Sequence, residues 1–228
     1  MASVKPNISI ANYQKFVREV YGLPNDRNFS SADMLANMER FLMRGLKGIR
    51  KGNPDKTTVN LLIAQSWFMS LMNQLHLDME DHIWRRFPYQ CSYCAHCPCV
   101  CWAQKVQTRR PVKINNRLRP KTLTGFQEML AKIYPTSTRT LEHAGVHLAE
   151  EMGEVSEAMM IFRSHRLEAD LDNVILESAD LFSCFMGVFN SLGVNVANEL
   201  SKLFSRNCHV CHQAPCTCSF EFIVKIKT

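Results

Sequence analysis

The pattern Cys-x2-Cys-x4-Cys-x-Cys occurs twice in this chain, at Cys91, Cys94, Cys99 and Cys101 and again at Cys208, Cys211, Cys216 and Cys218. The offset is 117 positions (208 minus 91). It also places Pro98 on Pro215, and Leu71, Leu75, Leu77, Met79 and Phe87 on Val188, Leu192, Val194, Val196 and Phe204. Upstream, an offset of 113 (126 minus 13) matches Tyr13-Gln-Lys-Phe-Val-Arg-Glu-Val-Tyr21 with Phe126-Gln-Glu-Met-Leu-Ala-Lys-Ile-Tyr134. The change of four positions is what a loop insertion produces. The chain therefore reads as a tandem duplication of one unit: a leading helix, two long helices, a fourth helix and a cysteine knuckle. Differences between the copies are where function should lie.

Apolar residues recur at helical spacing through Ala11–Tyr21, Ala32–Leu46, Thr58–Leu75, Met79–Phe87, Thr124–Tyr134, Ala144–Phe162, Leu171–Leu192 and Val194–Phe204, and alternating patterns are nearly absent. The expected class is all-α. Gly22-Leu-Pro24, Gly52-Asn-Pro54, Pro135 and Gly193 stand as breakers between the helices. The tail, Phe220 to Lys227, is the one segment that reads as a strand. The expected division is a first repeat over residues 1–101, a basic linker over 102–123, a second repeat over 124–218 and a tail over 219–228.

With 46% hydrophobic and 21% charged residues in 228, the chain has a globular composition and enough length for a sizeable core. No charged region followed by an apolar run opens it, and no stretch reaches the roughly 18 apolar residues of a membrane span. The expectation is a soluble, cytoplasmic protein with no membrane partner. In that setting eight of ten cysteines at metal-ligand spacing read as two structural Zn²⁺ sites rather than as disulfides. Cys97, His96, His209 and His212 sit close to the quartets and read as bystanders, and Cys184 reads as a small core residue.

The net charge of +6 is concentrated. Lys105, Arg109, Arg110, Lys113, Arg117, Arg119 and Lys121 follow one another with no acidic residue between them. Such a run is a solvated linker in the simpler reading, and in the functional one a strap that attracts a triphosphate or nucleic acid.

The second repeat carries Glu150-Glu-Met-Gly-Glu154 on one helix and Glu177-Ser-Ala-Asp180 on the next. Residues three apart share a helix face, so Glu151 pairs with Glu154, and Glu177 with Asp180. An acidic pair is usually a solvated surface feature. The second pair, however, sits among Val174, Ile175, Leu176, Ala179, Leu181, Phe182, Phe185, Val188 and Phe189, which describes a buried helix. Ionised carboxylates there need a cationic partner. The helix Leu171–Leu192 has no Lys or Arg, so a hard divalent ion, Mg²⁺ or Mn²⁺, is the expected occupant.

The order Glu-x2-Glu, 22 residues, Glu-x2-Asp, within Leu148-Ala-Glu-Glu-Met-Gly-Glu-Val-Ser-Glu-Ala158 and Glu177-Ser-Ala-Asp-Leu-Phe182, resembles the MazG-like all-α nucleoside triphosphate pyrophosphohydrolases. The resemblance implies that Glu151, Glu154, Glu177 and Asp180 hold Mg²⁺, and that water attacks the α-phosphorus to give nucleoside monophosphate and pyrophosphate. It also implies phosphate or base contacts from the helix after the second motif, where Asn198, Lys202, Arg206 and Asn207 lie. It covers residues 124–207 well, and residues 9–87 only through the internal repeat.

At the offset of 117 the four acidic positions become Met34, Asn37, Asn60 and Ile63, so the first copy departs from the motif and should bind no catalytic metal. The resemblance then implies a pseudo-dimeric helical bundle with one live site, in which the first copy is a structural partner and a homodimer is a further option. Trp67, Phe68 and Trp84 read as helix-packing core or as walls of a base pocket. The competing reading is a non-enzymatic module, with zinc knuckles and a basic linker binding nucleic acid or sensing a nucleotide.

Overall fold

The computed structural model describes residues 2–101, 103–104 and 106–226, and its regular structure there is helical throughout. Lys105 and Lys227 lie outside the described residues. The long helices are α1 (Ile10–Asn28), α2 (Ser31–Arg50), α3 (Pro54–Gln74), α5 (Leu123–Ile133), α6 (Leu141–His165) and α7 (Glu168–Ser191). Shorter ones are α4 (Met79–Arg86), α8 (Val196–Leu203) and α9 (Phe220–Lys225). Side-chain caps begin most of them, as at Ser9, Ser30, Asn53, Thr122, Thr140 and Asn195. Ser30 and Asp33 close a reciprocal capping box.

Two compact units divide the chain, and they cut across the expected boundaries. Unit 1 comprises residues 1–78 and 195–228, and unit 2 comprises residues 79–194. Unit 1 thus holds α1, α2, α3, α8, the second knuckle and α9, while unit 2 holds α4, the first knuckle and α5 to α7. Each antiparallel hairpin, α2–α3 or α6–α7, is completed by the short helix and knuckle that belong in sequence to the other repeat.

The docking of each knuckle has a local cause. Pro24 has no N–H, so within α1 the carbonyl of Val20 lacks its helical donor, and the Cys216 N–H takes it at 2.7 Å. The Gly22-Leu-Pro24 expectation is corrected here: the helix runs through Pro24 to Asn28 because the knuckle satisfies the freed carbonyl. In unit 2 α5 ends at Ile133, whose carbonyl is one of the orphans of a helix C-terminus, and the Cys99 N–H takes it at 2.8 Å. Val20 and Ile133 differ by 113, and Cys99 and Cys216 by 117.

Other contacts follow the same two offsets. Gln14 Nε2 donates to Leu77 O (2.6 Å) and Gln127 Nε2 to Val194 O (2.7 Å). Asn73 Nδ2 donates to Gln14 O (3.0 Å), and Asn190 Nδ2 to Gln127 O (3.4 Å). Tyr21 meets Phe204 edge-on at 6.3 Å, and Tyr134 meets Phe87 edge-on at 6.1 Å.

The tail is a helix, not a strand. Ser219 caps its start, no neighbouring strand offers a ladder among the described residues, and two arginines of α2 take its terminal carbonyls. Arg40 donates to Val224 O (2.6 Å) and Ile223 O (3.0 Å), and Arg44 to Ile226 O (2.9 Å). In unit 1 this helix borders an apolar cavity with Tyr21, Phe41, Trp67 and Phe204. Phe68 and Trp84 are core, and Trp67 stacks edge-on against Phe29.

The expected linker is not loose. Trp84 Nε1 donates to Asn116 Oδ1 (2.8 Å), Arg119 pairs with Asp81 (3.0 Å) and Glu80 (3.5 Å), and Lys113 N donates to Gln90 Oε1 (3.0 Å), so the segment is folded onto unit 2. Helix α7 is long and apolar enough to cross a membrane by length and composition, and 67% of that window is buried within the protein.

Candidate functional site

In unit 2, α6 and α7 lie side by side and bring Glu151, Glu177 and Asp180 together, with one oxygen of each within 4.8 Å of the others. Glu154 is exposed and joins through a hydrogen bond to Glu177. Burial and the neighbouring charges of Asp180, Glu154 and Glu151 push the Glu177 carboxyl up to about 7, against the opposing pull of Arg86. Burial and Glu151 raise Glu154 as well.

A cation does face the cluster, from an element that sequence reasoning did not place there. Arg86, at the end of α4, grips Asp180 with both arms of its guanidinium: Nε lies 2.9 Å from Oδ1, and Nη2 binds Oδ2. The two side chains are 10% and 13% exposed, so this is a largely desolvated bidentate pair. Burial opposes the Arg86 charge, and the Asp180 contacts more than offset it, leaving its pKa raised. The argument that no Lys or Arg neutralises α7 holds for α7 itself and fails in space, because α4 supplies one.

Two further groups went unread. His147, one turn before Glu151, lies 3.3 Å from it and is pushed up to about 10, chiefly by hydrogen bonds to Cys184 and Glu151. Arg139 lies over α7 where Gly187 has no Cβ; a Cβ there would meet Arg139 Nη2 at 2.6 Å. The Arg139 Nε is buried and has no hydrogen-bond partner. Gly187 in an otherwise bulky apolar helix was the only sequence signal for it. Cys184 is buried core, as expected, and also touches His147.

The clustered carboxylates outnumber the cations that face them, Arg86 and protonated His147, and a divalent ion would relieve the repulsion that raises Glu177. Glu151 Oε2 is buried without a hydrogen-bond partner, as an oxygen reserved for a metal would be. The all-oxygen donor set fits Mg²⁺ or Mn²⁺. In unit 1 the matching residues are Met34, Asn37, Asn60 and Ile63, all buried. Asn37 and Asn60 each bond a carbonyl one turn back in their own helix, Asp33 O at 2.9 Å and Lys56 O at 2.7 Å. No metal-ligand group occurs on that hairpin among the described residues.

Asn198, Lys202, Arg206 and Asn207 fall outside unit 2, the unit that holds the carboxylate cluster. They belong to unit 1, whose hairpin lacks the four acidic residues of the motif. Lys202 is paired with Glu199 at 2.6 Å. Asn207 is structural: its Oδ1 accepts from Ala2 N (2.8 Å) and its Nδ2 donates to His212 O (3.0 Å). Asn198 and Arg206 are exposed. The short helix beside the carboxylates is α4, because the units exchange this element.

Both cysteine quartets are assembled. The Sγ–Sγ distances are 3.8 Å (Cys91–Cys101) and 3.9 Å (Cys94–Cys99) in one, and 4.0 Å (Cys208–Cys218), 3.7 Å (Cys211–Cys216) and 3.5 Å (Cys208–Cys216) in the other. A zinc tetrahedron with Zn–S bonds of about 2.3 Å has edges of about 3.8 Å, whereas a disulfide needs about 2.05 Å. All ten cysteines are free. Tyr93 N donates to Cys91 Sγ and Val210 N to Cys208 Sγ, each at 3.4 Å, which favours thiolate. Hydrogen bonding from Cys216 heads the causes that lower Cys208 to about 4. Cys94 falls to about 6, where burial is outweighed by the Val100 and His96 backbone donors. Each quartet can hold one zinc ion. His209 turns instead toward Phe204 and Tyr21, and Cys97 and His96 are exposed.

Elemental analysis is expected to find two zinc ions per chain, falling to one in Cys94→Ser and in Cys211→Ser. In the buried pair, Arg86→Leu and Asp180→Ile should each cost about 3 kcal/mol by stranding a charge, while the double variant, which carries the residues found at Leu203 and Ile63, should return to within ~1 kcal/mol of the parent in denaturant titration. Because folding raises the Glu177 pKa from about 4.5 to about 7, its contribution is present below pH 4.5 and lost as pH rises through 7. Glu177→Gln is therefore expected to melt about 2–4 °C above the parent at pH 8 without divalent ions, a shift worth ~1 kcal/mol for a partly solvated carboxylate, and to lose that advantage below pH 4.5.

No family model matches the chain, and no curated protein and no solved structure matches it.

Proposed function

We propose that unit 2 is a Mg²⁺-dependent nucleoside triphosphate pyrophosphohydrolase, releasing nucleoside monophosphate and pyrophosphate, and that unit 1 is its catalytically empty partner derived from the same repeat. The observation that carries this reading is the convergence of Glu151, Glu177 and Asp180 around one point, with a buried Glu151 oxygen lacking any partner. The motif order that resembles the MazG-like enzymes supports it independently.

Glu151, Glu177 and Asp180 would hold the ion, with Glu154 at the exposed end of the cluster. When bound, the divalent ion neutralises the triphosphate and makes water easier to deprotonate. The remaining work falls to side chains. Arg86 holds Asp180 in one rotamer, and His147 does the same for Glu151. Glu154, solvent-facing and with its pKa raised, accepts the proton as the water oxygen bonds to the α-phosphorus. The bond from the α-phosphorus to the bridging oxygen then breaks, and its electron pair leaves with pyrophosphate. The two zinc ions are structural in this scheme, since four thiolates leave no open position.

The test is pyrophosphate release from a panel of ribo- and deoxyribonucleoside triphosphates by the zinc-loaded protein. Release should need Mg²⁺ or Mn²⁺ and should fall at least 100-fold in Glu177→Gln. No release from any triphosphate by a folded protein would sink the enzymatic reading and favour a nucleotide sensor.

A further inference from the structure

Beside the carboxylate cluster, Ile175, Leu176 and Ala179 of α7 form the apolar floor of an open cleft of about 480 Å³ within unit 2. Its rim is basic: His82, Arg85 and Arg86 come from α4, and Arg109 and Arg110 from the segment after the first knuckle. No acidic side chain lines it. Arg86 both lines the cleft and binds Asp180, so cleft and carboxylates adjoin through one side chain.

The arginines differ in what already occupies them. Arg86 is committed to Asp180, and Arg85 to Asp81 one turn back. Arg109 and Arg110 are exposed and form no ion pair with a carboxylate among the described residues. They are nevertheless positioned: Arg110 N donates to Tyr93 O at 2.9 Å, and the Arg109 guanidinium lies 5.8 Å from the Tyr93 ring centre. Tyr93 stands between two cysteines of the quartet, so the knuckle holds both arginines at the rim. Two unpaired guanidinium groups on a fixed support are suited to a multiply charged phosphate, which they can grip bidentately.

We propose that this cleft binds the β- and γ-phosphates of the nucleotide and stabilises the departing pyrophosphate through Arg109 and Arg110. The inference rests on the pyrophosphohydrolase reading and adds a leaving-group site to it. A cleft of this size suits one small ligand. A nucleic-acid strand would instead call for an extended groove with aromatic stacking platforms, and among the described residues His82 is the one aromatic ring in the lining.

The experiment is calorimetric titration of inorganic pyrophosphate into the full-length, zinc-loaded protein without added Mg²⁺. Arg109→Ala/Arg110→Ala is expected to bind at least tenfold more weakly than the parent, while Arg117→Ala, outside the cleft, binds as well as the parent. Under turnover the double variant should raise KM and lower kcat. Equal affinity of parent and double variant, or no binding by the parent, overturns the proposal. So does a single-stranded 12-mer that binds more tightly than pyrophosphate through the same two arginines, which would make the cleft a nucleic-acid site. Pyrophosphate binding that needs the arginines, in a protein that hydrolyses no triphosphate, would keep the site and remove the enzyme. Mg²⁺-dependent hydrolysis with KM and kcat both unchanged in the double variant would do the reverse.

Discussion

Two hydrogen bonds set the organisation of this chain: Cys216 N–H to Val20 O, and Cys99 N–H to Ile133 O. Each joins a cysteine knuckle to a leading helix of the other repeat, at a carbonyl that its own helix leaves unsatisfied. An unpaired buried carbonyl is costly, so Pro24 in α1 and the end of α5 both create a demand that the knuckle meets. The short helix before each knuckle then packs on the same hairpin. A knuckle here is therefore more than a local staple, since it fixes which hairpin receives α4 and which receives α8.

That exchange decides the chemistry of the candidate site. Because α4 completes the acidic hairpin, the position that is Leu203 in α8 is filled there by Arg86, and the position that is Ile63 in α3 by Asp180. One unit places an ion pair where the other has apolar residues. A largely buried Arg–carboxylate pair is not a net source of stability compared with two well-packed aliphatic side chains. Its retention next to two more carboxylates is better explained by positioning than by folding. Arg86 also gives the acidic cluster and the basic cleft a shared wall, so a substrate spanning both would meet negative groups at one end and arginines at the other.

Much of this was legible in the sequence, and the misses share one cause. Helix positions, the two quartets and the acidic positions follow from periodicity and spacing, which are local properties. The assignment of Asn198, Lys202, Arg206 and Asn207 to the site assumed that the helix following the acidic motif in sequence also lies beside it in space. Offsets of 113 and 117 identify equivalent residues but say nothing about which copy pairs with which. Arg86 was invisible for the same reason, being 94 residues from its partner. The tail misled differently: Phe220-Glu-Phe-Ile-Val-Lys-Ile alternates as a strand does, and only the Ser219 cap together with Arg40 and Arg44 turns it into a helix.

The tail also bears on why the first unit can persist without the four carboxylates of the motif. Around Ile63, the counterpart of Asp180, unit 1 has Tyr21, Phe41, Trp67 and Phe204, with Phe222 of α9 and Ile226 just beyond its end. Loss of the carboxylates removes the repulsion that raises Glu177 and Glu154 in unit 2, and the position becomes free to hold apolar side chains. Burying such groups stabilises by about 1.5–3 kcal/mol for each large residue. In unit 2 the corresponding position carries Asp180 paired with Arg86, at a cost in stability, as an arrangement shaped by ligand binding would require.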